Sequence, residues 1–141
     1  MNLNTYLHFN DNCREAFEFY RSVFGGEFGI LLTFAEGPDH MPPLPDHEKT
    51  RIMHVSLPVG GGVLMGSDSC SAFGPPPTSG NNFSISISTD SREETDRVFA
   101  ALADGGNAAM QPQDMFWGAY FGMCTDRFGV NWMLSNEAQS H

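Results

Sequence analysis

The chain uses one pattern twice, and that repetition restricts its fold more than any other feature. Cys13, Ala16, Phe17, Tyr20, Val23 and Phe24 follow one another at the spacings of an amphipathic helix. Thr95, Val98, Phe99, Leu102 and Ala103 form a second such stripe. Ala16 corresponds to Thr95, Tyr20 to Phe99 and Val23 to Leu102, all displaced by the same 79 positions. Asn12 stands three residues before Glu15, and Ser91 three before Glu94, which is the spacing of a capping box. Gly25-Gly26 and Gly105-Gly106 stop the two helices.

β-prone segments flank each helix. Residues 2–10 open the first half, with Tyr6, His8 and Asn10 alternating against Leu7 and Phe9. Residues 27–34 form a second strand, 51–58 a third and 63–67 a fourth, with a turn at Gly60-Gly61-Gly62. Residues 36–49 are polar and rich in proline, and are expected to form a loop. The second half opens with residues 83–89, where Ser84, Ser86 and Ser88 alternate with Phe83, Ile85 and Ile87. It closes with residues 115–134, expected to form strands over 116–125 and 130–134 joined by an Asp126-Arg-Phe-Gly129 turn. So little charge in that hairpin predicts that it lines a core or a pocket. The pattern predicts an α+β fold: two βαβββ modules in one domain, module one at about 3–67, a linker at 68–82 and module two at about 83–136.

Those residues resemble a known superfamily. An aromatic strand, an Asp-x-x-Gly turn and a closing strand are similar to the end of a vicinal-oxygen-chelate domain, the fold of glyoxalase I, bleomycin-resistance proteins and extradiol dioxygenases. Phe116-Trp117-Gly118 and Phe128-Gly129-Val130 with Trp132-Met133 resemble the PhnB-like branch in particular. So do Tyr20, Phe24-Gly25-Gly26, Ile52-Met53-His54, Leu64-Met65 and Ser67-Asp68. The resemblance covers residues 3–136 and implies curved sheets that enclose a cavity between the modules, in a homodimer. Enzymes of the superfamily hold a divalent metal with His and Glu from the first and fourth strands of each module. Carried over one at a time, those positions are Thr5, Met65, Ser84 and Met133. A hydroxyl replaces imidazole poorly, and a thioether does not hold a hard or borderline divalent ion. The resemblance therefore implies a glyoxalase-like protein without the usual metal site and with no cofactor.

Composition excludes several alternatives. Seventeen acidic residues against seven basic ones give a formal net charge of −10, which repels nucleic-acid phosphates and anionic lipid. No apolar run approaches the roughly 20 residues of a membrane span. No basic-then-apolar leader opens the chain. Cys13, Cys70 and Cys124 are odd in number and widely spaced, which fits reduced thiols in a cytoplasmic protein. The 60–62 glycine run precedes β-prone residues, not the helix that a nucleotide loop or Rossmann-type methyltransferase needs.

Candidate site residues follow from parity and composition. His54 alternates with Ile52 and Ser56, opposite Met53, Val55 and Leu57, and is expected to face the cavity as a hydrogen-bonding group or base. The alternative, which the residues favour slightly, is a structural histidine with its bonds satisfied. His8 has the parity of Tyr6 rather than Thr5, and is expected to point away from the metal-equivalent position. Trp117, Tyr120 and Phe121, with Met65 and Met133, are expected to wall a pocket. His40 and His47, among the acidic residues of the 36–49 loop, offer at most a surface metal site, and His141 is terminal.

Three functions fit these residues. The first is binding of a small, partly apolar molecule in the inter-module cavity through Thr5, His54, Met65, Ser84, Trp117, Tyr120, Phe121 and Met133. The second is a metal-independent isomerase or lyase with His54 as its acid–base group. The third is a structural dimer with no ligand site.

Overall fold

The computed structural model describes residues 1–39 and 41–137. The chain divides into two compact units, Met1–Thr78 and a second from Ser79 onward. Unit 1 contains β1 (Thr5–Phe9), α1 (Cys13–Phe24), β2 (Ile30–Thr33), a short α2 (Asp46–Lys49), β3 (Ile52–Val59) and β4 (Gly62–Asp68). Unit 2 contains β5 (Ile85–Ser88), α3 (Arg92–Ala103), β6 (Asn107–Asp114), β7 (Tyr120–Thr125) and β8 (Asn131–Asn136). Each unit is βαβββ, with sheet orders β1-β4-β3-β2 and β5-β8-β7-β6. The outer strand β1 runs parallel to β4, as β5 does to β8, and the other pairs are antiparallel.

Each helix covers one face of its own sheet. In unit 1 the buried face carries Leu7, Phe9, Val55, Leu57 and Leu64 under Phe17 and Tyr20 of α1. Phe17 meets Phe9 and Tyr20 edge-on, at ring separations of 6.2 and 5.5 Å. In unit 2, Val98, Phe99 and Leu102 of α3 are buried with Cys124, Trp132 and Leu134 of the sheet. Each such side chain contributes roughly 1.5–3 kcal/mol relative to an exposed one. Gly66 shows how tightly α1 sits: a Cβ there would lie 2.6 Å from the Phe17 ring and 3.1 Å from the Leu7 carbonyl. Opposite these faces, strands β4, β7 and β8 alternate buried with half-buried residues, so each sheet has a helix side and an open side.

Local signals explain most boundaries. Ser91 accepts the Glu94 N–H at 3.0 Å, and Glu94 accepts the Asp90 N–H at 2.9 Å, so α3 starts as its spacing predicts. α1 does not. Asn12 makes no side-chain cap, and the Cys13 N–H donates instead to Asp68 Oδ1 at 2.9 Å. Residues 36–49 are not wholly loop, since Asp46–Lys49 makes one helical turn after Pro45. The aromatic stretch at 116–118 is a turn rather than the start of a strand: the Met115 N–H donates to Ala119 O, and the Gly118 N–H to Met115 O. The Asp126 turn forms as expected, with Gly129 at φ +87°. Asp126 Oδ1 accepts the Phe128 and Val130 N–H groups, and Oδ2 accepts Trp132 Nε1–H at 2.8 Å. One carboxylate thereby fixes both the turn and the core indole.

Candidate functional site

Residues paired across neighbouring strands point to the same side of a sheet. In unit 1, Tyr6 pairs with Met65, Met65 with Ser56, and Ser56 with Ile30; His8 pairs with Ser67, and His54 with Leu32. All lie on the open side. Tyr6, His8 and His54 gather there. The Tyr6 ring stacks on His54 at 5.7 Å and meets His8 at 5.1 Å, and its hydroxyl is 3.3 Å from His54 Nδ1. A phenol that donates to Nδ1 leaves the proton of a neutral imidazole on Nε2. His54 lies on the open side, beside Leu32. His8 stands on that side as well, beside Met65 and Ser67.

Thr5 does not. It pairs with Leu64 and has the parity of Leu7 and Phe9, so it belongs to the helix side. The expectation that Thr5 and Met65 share a site is corrected by this register: the β1 positions next to Met65 are Tyr6 and His8. The alternation of Leu7 and Phe9 with Tyr6 and His8 carried that signal in the sequence.

In unit 2 the open side carries Phe121, Met123 and Met133, with Ser86, Ser88 and Ser135 paired beside them. Ser84 precedes β5 with the parity of Ser86. Trp117, in the β6–β7 turn and 52% exposed, meets the Phe121 ring at 5.9 Å. Tyr120 belongs to the other side, and its role as a pocket wall is corrected. Its hydroxyl donates to Asp96 Oδ1 on α3 at 2.6 Å, while the Arg92 guanidinium lies 3.9 Å over its ring and bonds Asp114 at 2.6 Å. The Asp96 bond holds the phenol's pKa above its ordinary value, and the Asp114 carboxyl is held low by Arg92. This cluster ties α3 to its sheet.

The three cysteines are free and buried. Burial pushes the Cys13 thiol up strongly and the Cys124 thiol to about 11, so both are poor nucleophiles. Among the described residues, no three His, Cys, Asp or Glu side chains stand together as a metal site, and no helix is long and apolar enough to cross a membrane. His40 and His141 lie outside the described residues.

Two βαβββ units, each with a helix-covered face and an open face, define a glyoxalase-like fold. A glyoxalase/bleomycin resistance protein of Albidiferax ferrireducens shares it at a TM-score of 0.61 and 19% identity, covering 94% of this chain and 95% of that one. Residues 1–135 match the family described as 3-demethylubiquinone-9 3-methyltransferase, and the chain belongs to that family. Protein YjdN of Escherichia coli is 32% identical, over 96% of this chain and 95% of its own. The crystal structure of PA1353 from Pseudomonas aeruginosa matches at a TM-score of 0.84 with 43% identity, covering 97% and 98% of the two chains. A PhnB protein from Bacillus cereus matches at 0.75 with 26% identity, covering 96% and 99%. The chain thus joins membership of that family to a glyoxalase-like fold, and is similar to a PhnB protein.

Proposed function

We propose that this protein binds a small, partly apolar molecule against the open faces of its sheets, without a divalent metal in the role that superfamily enzymes give it. The observation that carries this is the unit 1 open face. Tyr6, His8 and His54 form one ring cluster beside the Met65 thioether, next to Ile30 and Leu32. Flat and flexible apolar surface with a few convergent polar atoms is the usual make-up of a small-molecule site. Phe121, Met123 and Met133 supply a similar surface in unit 2.

The metal-equivalent residues do not fit a divalent ion. On the open sides Met65 and Met133 offer thioethers and Ser84 a neutral hydroxyl, and of Tyr6 and His8, the β1 positions beside Met65, one carries an imidazole. Methyl transfer, the activity in the family description, is not favoured by this geometry either. The run of three glycines, Gly60-Gly61-Gly62, closes the β3–β4 hairpin instead of opening a helix at a cofactor phosphate or carboxylate.

A second reading is favoured by the Tyr6–His54 contact. A histidine oriented by a phenol is equipped for acid–base work on a carbonyl substrate. Association as a homodimer belongs to the same proposal.

The test is thermal shift with neutral aromatic alcohols and ketones, and with S-adenosylmethionine. Neutral aromatics should raise the melting temperature, and Met65→Glu should abolish that rise. A rise with S-adenosylmethionine alone would contradict the proposal. Turnover of a panel ketone that is lost in His54→Ala would move the assignment to the enzyme.

A further inference from the structure

Unit 1 holds a cavity of about 390 Å³, a volume typical of small-molecule pockets. Its walls are Phe34, Met53 and His8, with Phe73, Pro75 and Pro77 from the segment that follows β4. Met53 stands at an irregularity in the ladder, where pairing passes from Leu32–His54 to Thr33–Ile52. Such bulges redirect a side chain out of strand alternation.

The segment is fastened at its start and apolar beyond. The Ser69 N–H donates to Phe9 O at 2.7 Å, and Ser69 O accepts Arg51 Nη1 at 3.2 Å. The Ser71 N–H and hydroxyl both donate to the buried Glu48 carboxylate, at 3.0 and 2.9 Å. Two residues on, Phe73 keeps 67% of its surface exposed. An exposed phenyl at the mouth of a cavity loses water contact when something apolar fills the space beneath it.

The cavity's electrostatics select against anions. Its one lining carboxylate, Asp68, already accepts the Cys13 and Ile52 N–H groups, and the chain's net charge is −10. Among the described residues, no lysine or arginine lines the wall. Neutral polar groups are at hand in His8, Ser67 and Ser69, and of these the His8 imidazole can donate or accept a hydrogen bond beside the aromatic wall.

We propose that this cavity binds an uncharged molecule with a flat aromatic body, held by Phe34 and Met53, covered by Phe73 and hydrogen-bonded by His8. The proposal deepens the binding function above and rests on it, because His8 and Ser67 belong both to the cavity and to the open face.

Methyl-labelled methionine NMR on the full chain tests it, with indole as the probe. Met53 reports the cavity, Met65 the unit 1 open face and Met133 the unit 2 open face. The Met53 signal should shift saturably, with affinity reduced about tenfold or more in Phe73→Ser and in His8→Ala. Indole-3-carboxylate should bind about tenfold more weakly than indole. Shifts at Met65 or Met133 with a still Met53 would overturn the cavity proposal and leave the open-face function standing. No saturable shift at any of the three would overturn both. A Met53 shift of unchanged affinity in Phe73→Ser and His8→Ala would also overturn the proposal.

Discussion

Asp68, the last residue of β4, caps Cys13, the first residue of α1, across 55 positions of chain. Its Oδ1 accepts the Cys13 N–H at 2.9 Å while its Oδ2 accepts the Ile52 N–H at 2.7 Å. One carboxylate therefore joins α1, β3 and β4, and replaces the local cap that Asn12 does not provide. Burial raises the Asp68 pKa, and the two backbone donors oppose that rise.

Asp68→Ala leaves two buried N–H groups without acceptors and should cost about 3 kcal/mol of unfolding free energy in urea titration. Asp68→Asn should also destabilise, because an amide N–H would confront one of the donors. Retention of wild-type stability in both variants would show that water replaces the carboxylate.

Asn136 ends β8 as Asp68 ends β4, but with reversed polarity, since its Nδ2–H donates to Thr89 O at 2.8 Å. Asn136→Asp would set a carboxylate against that carbonyl and should cost about 2 kcal/mol. Asp and Asn should not be exchangeable at either strand end, which one pair of denaturation curves can check.

Much of the fold is legible in the sequence, and the reasons differ by element. Both helices show because the Cys13–Phe24 and Thr95–Ala103 stripes, with their Gly-Gly stops, are local and periodic. The Asp126–Gly129 turn shows because its chemistry lies within four residues. The Asp68 cap does not show, because its partner is distant in sequence. Phe116 and Trp117 read as strand since aromatic residues favour strands, yet Gly118 at φ +99° lets the chain reverse there. Strand β6 is polar, contains Pro112 and pairs irregularly with β7 as an edge strand, so it carries almost no periodic signal. Likeness to the superfamily puts Thr5 at the site, whereas the parity of Leu7 and Phe9 puts it under the helix.

Gly66→Ala tests the closeness of α1 to its sheet. The added methyl must displace Phe17, at 2.6 Å from the new carbon, or the Leu7 backbone. A loss of about 1–3 kcal/mol is expected, because a packed core yields little. Near-zero change would mean that Phe17 moves freely.

Glu48 gives the segment over the cavity a pH dependence. Its carboxyl is held below the ordinary value first by the Ser71 N–H bond and also by the Ser71 hydroxyl and Arg51. The stability that it contributes is present above the ordinary carboxylate pKa near 4.5, and is lost as pH falls through the lowered folded value. Hydrogen exchange at residues 69–73 should quicken, relative to the core strands, on acidification through that range. Glu48→Gln should show fast exchange there already at pH 7. Equal protection in the variant would remove Glu48 as the fastening.

The central claim, that this chain binds a small organic molecule without a divalent metal, is tested most directly by mass spectrometry. Untagged protein sprayed under native conditions, with elemental analysis and melting curves before and after chelation, gives both halves. The account predicts no stoichiometric divalent metal, no change in melting on chelation, and a non-covalent organic adduct whose occupancy falls in Met65→Glu. Stoichiometric metal with a chelator-sensitive melt would contradict it, and would mean that side chains such as His8 and His54 have rebuilt a metal site.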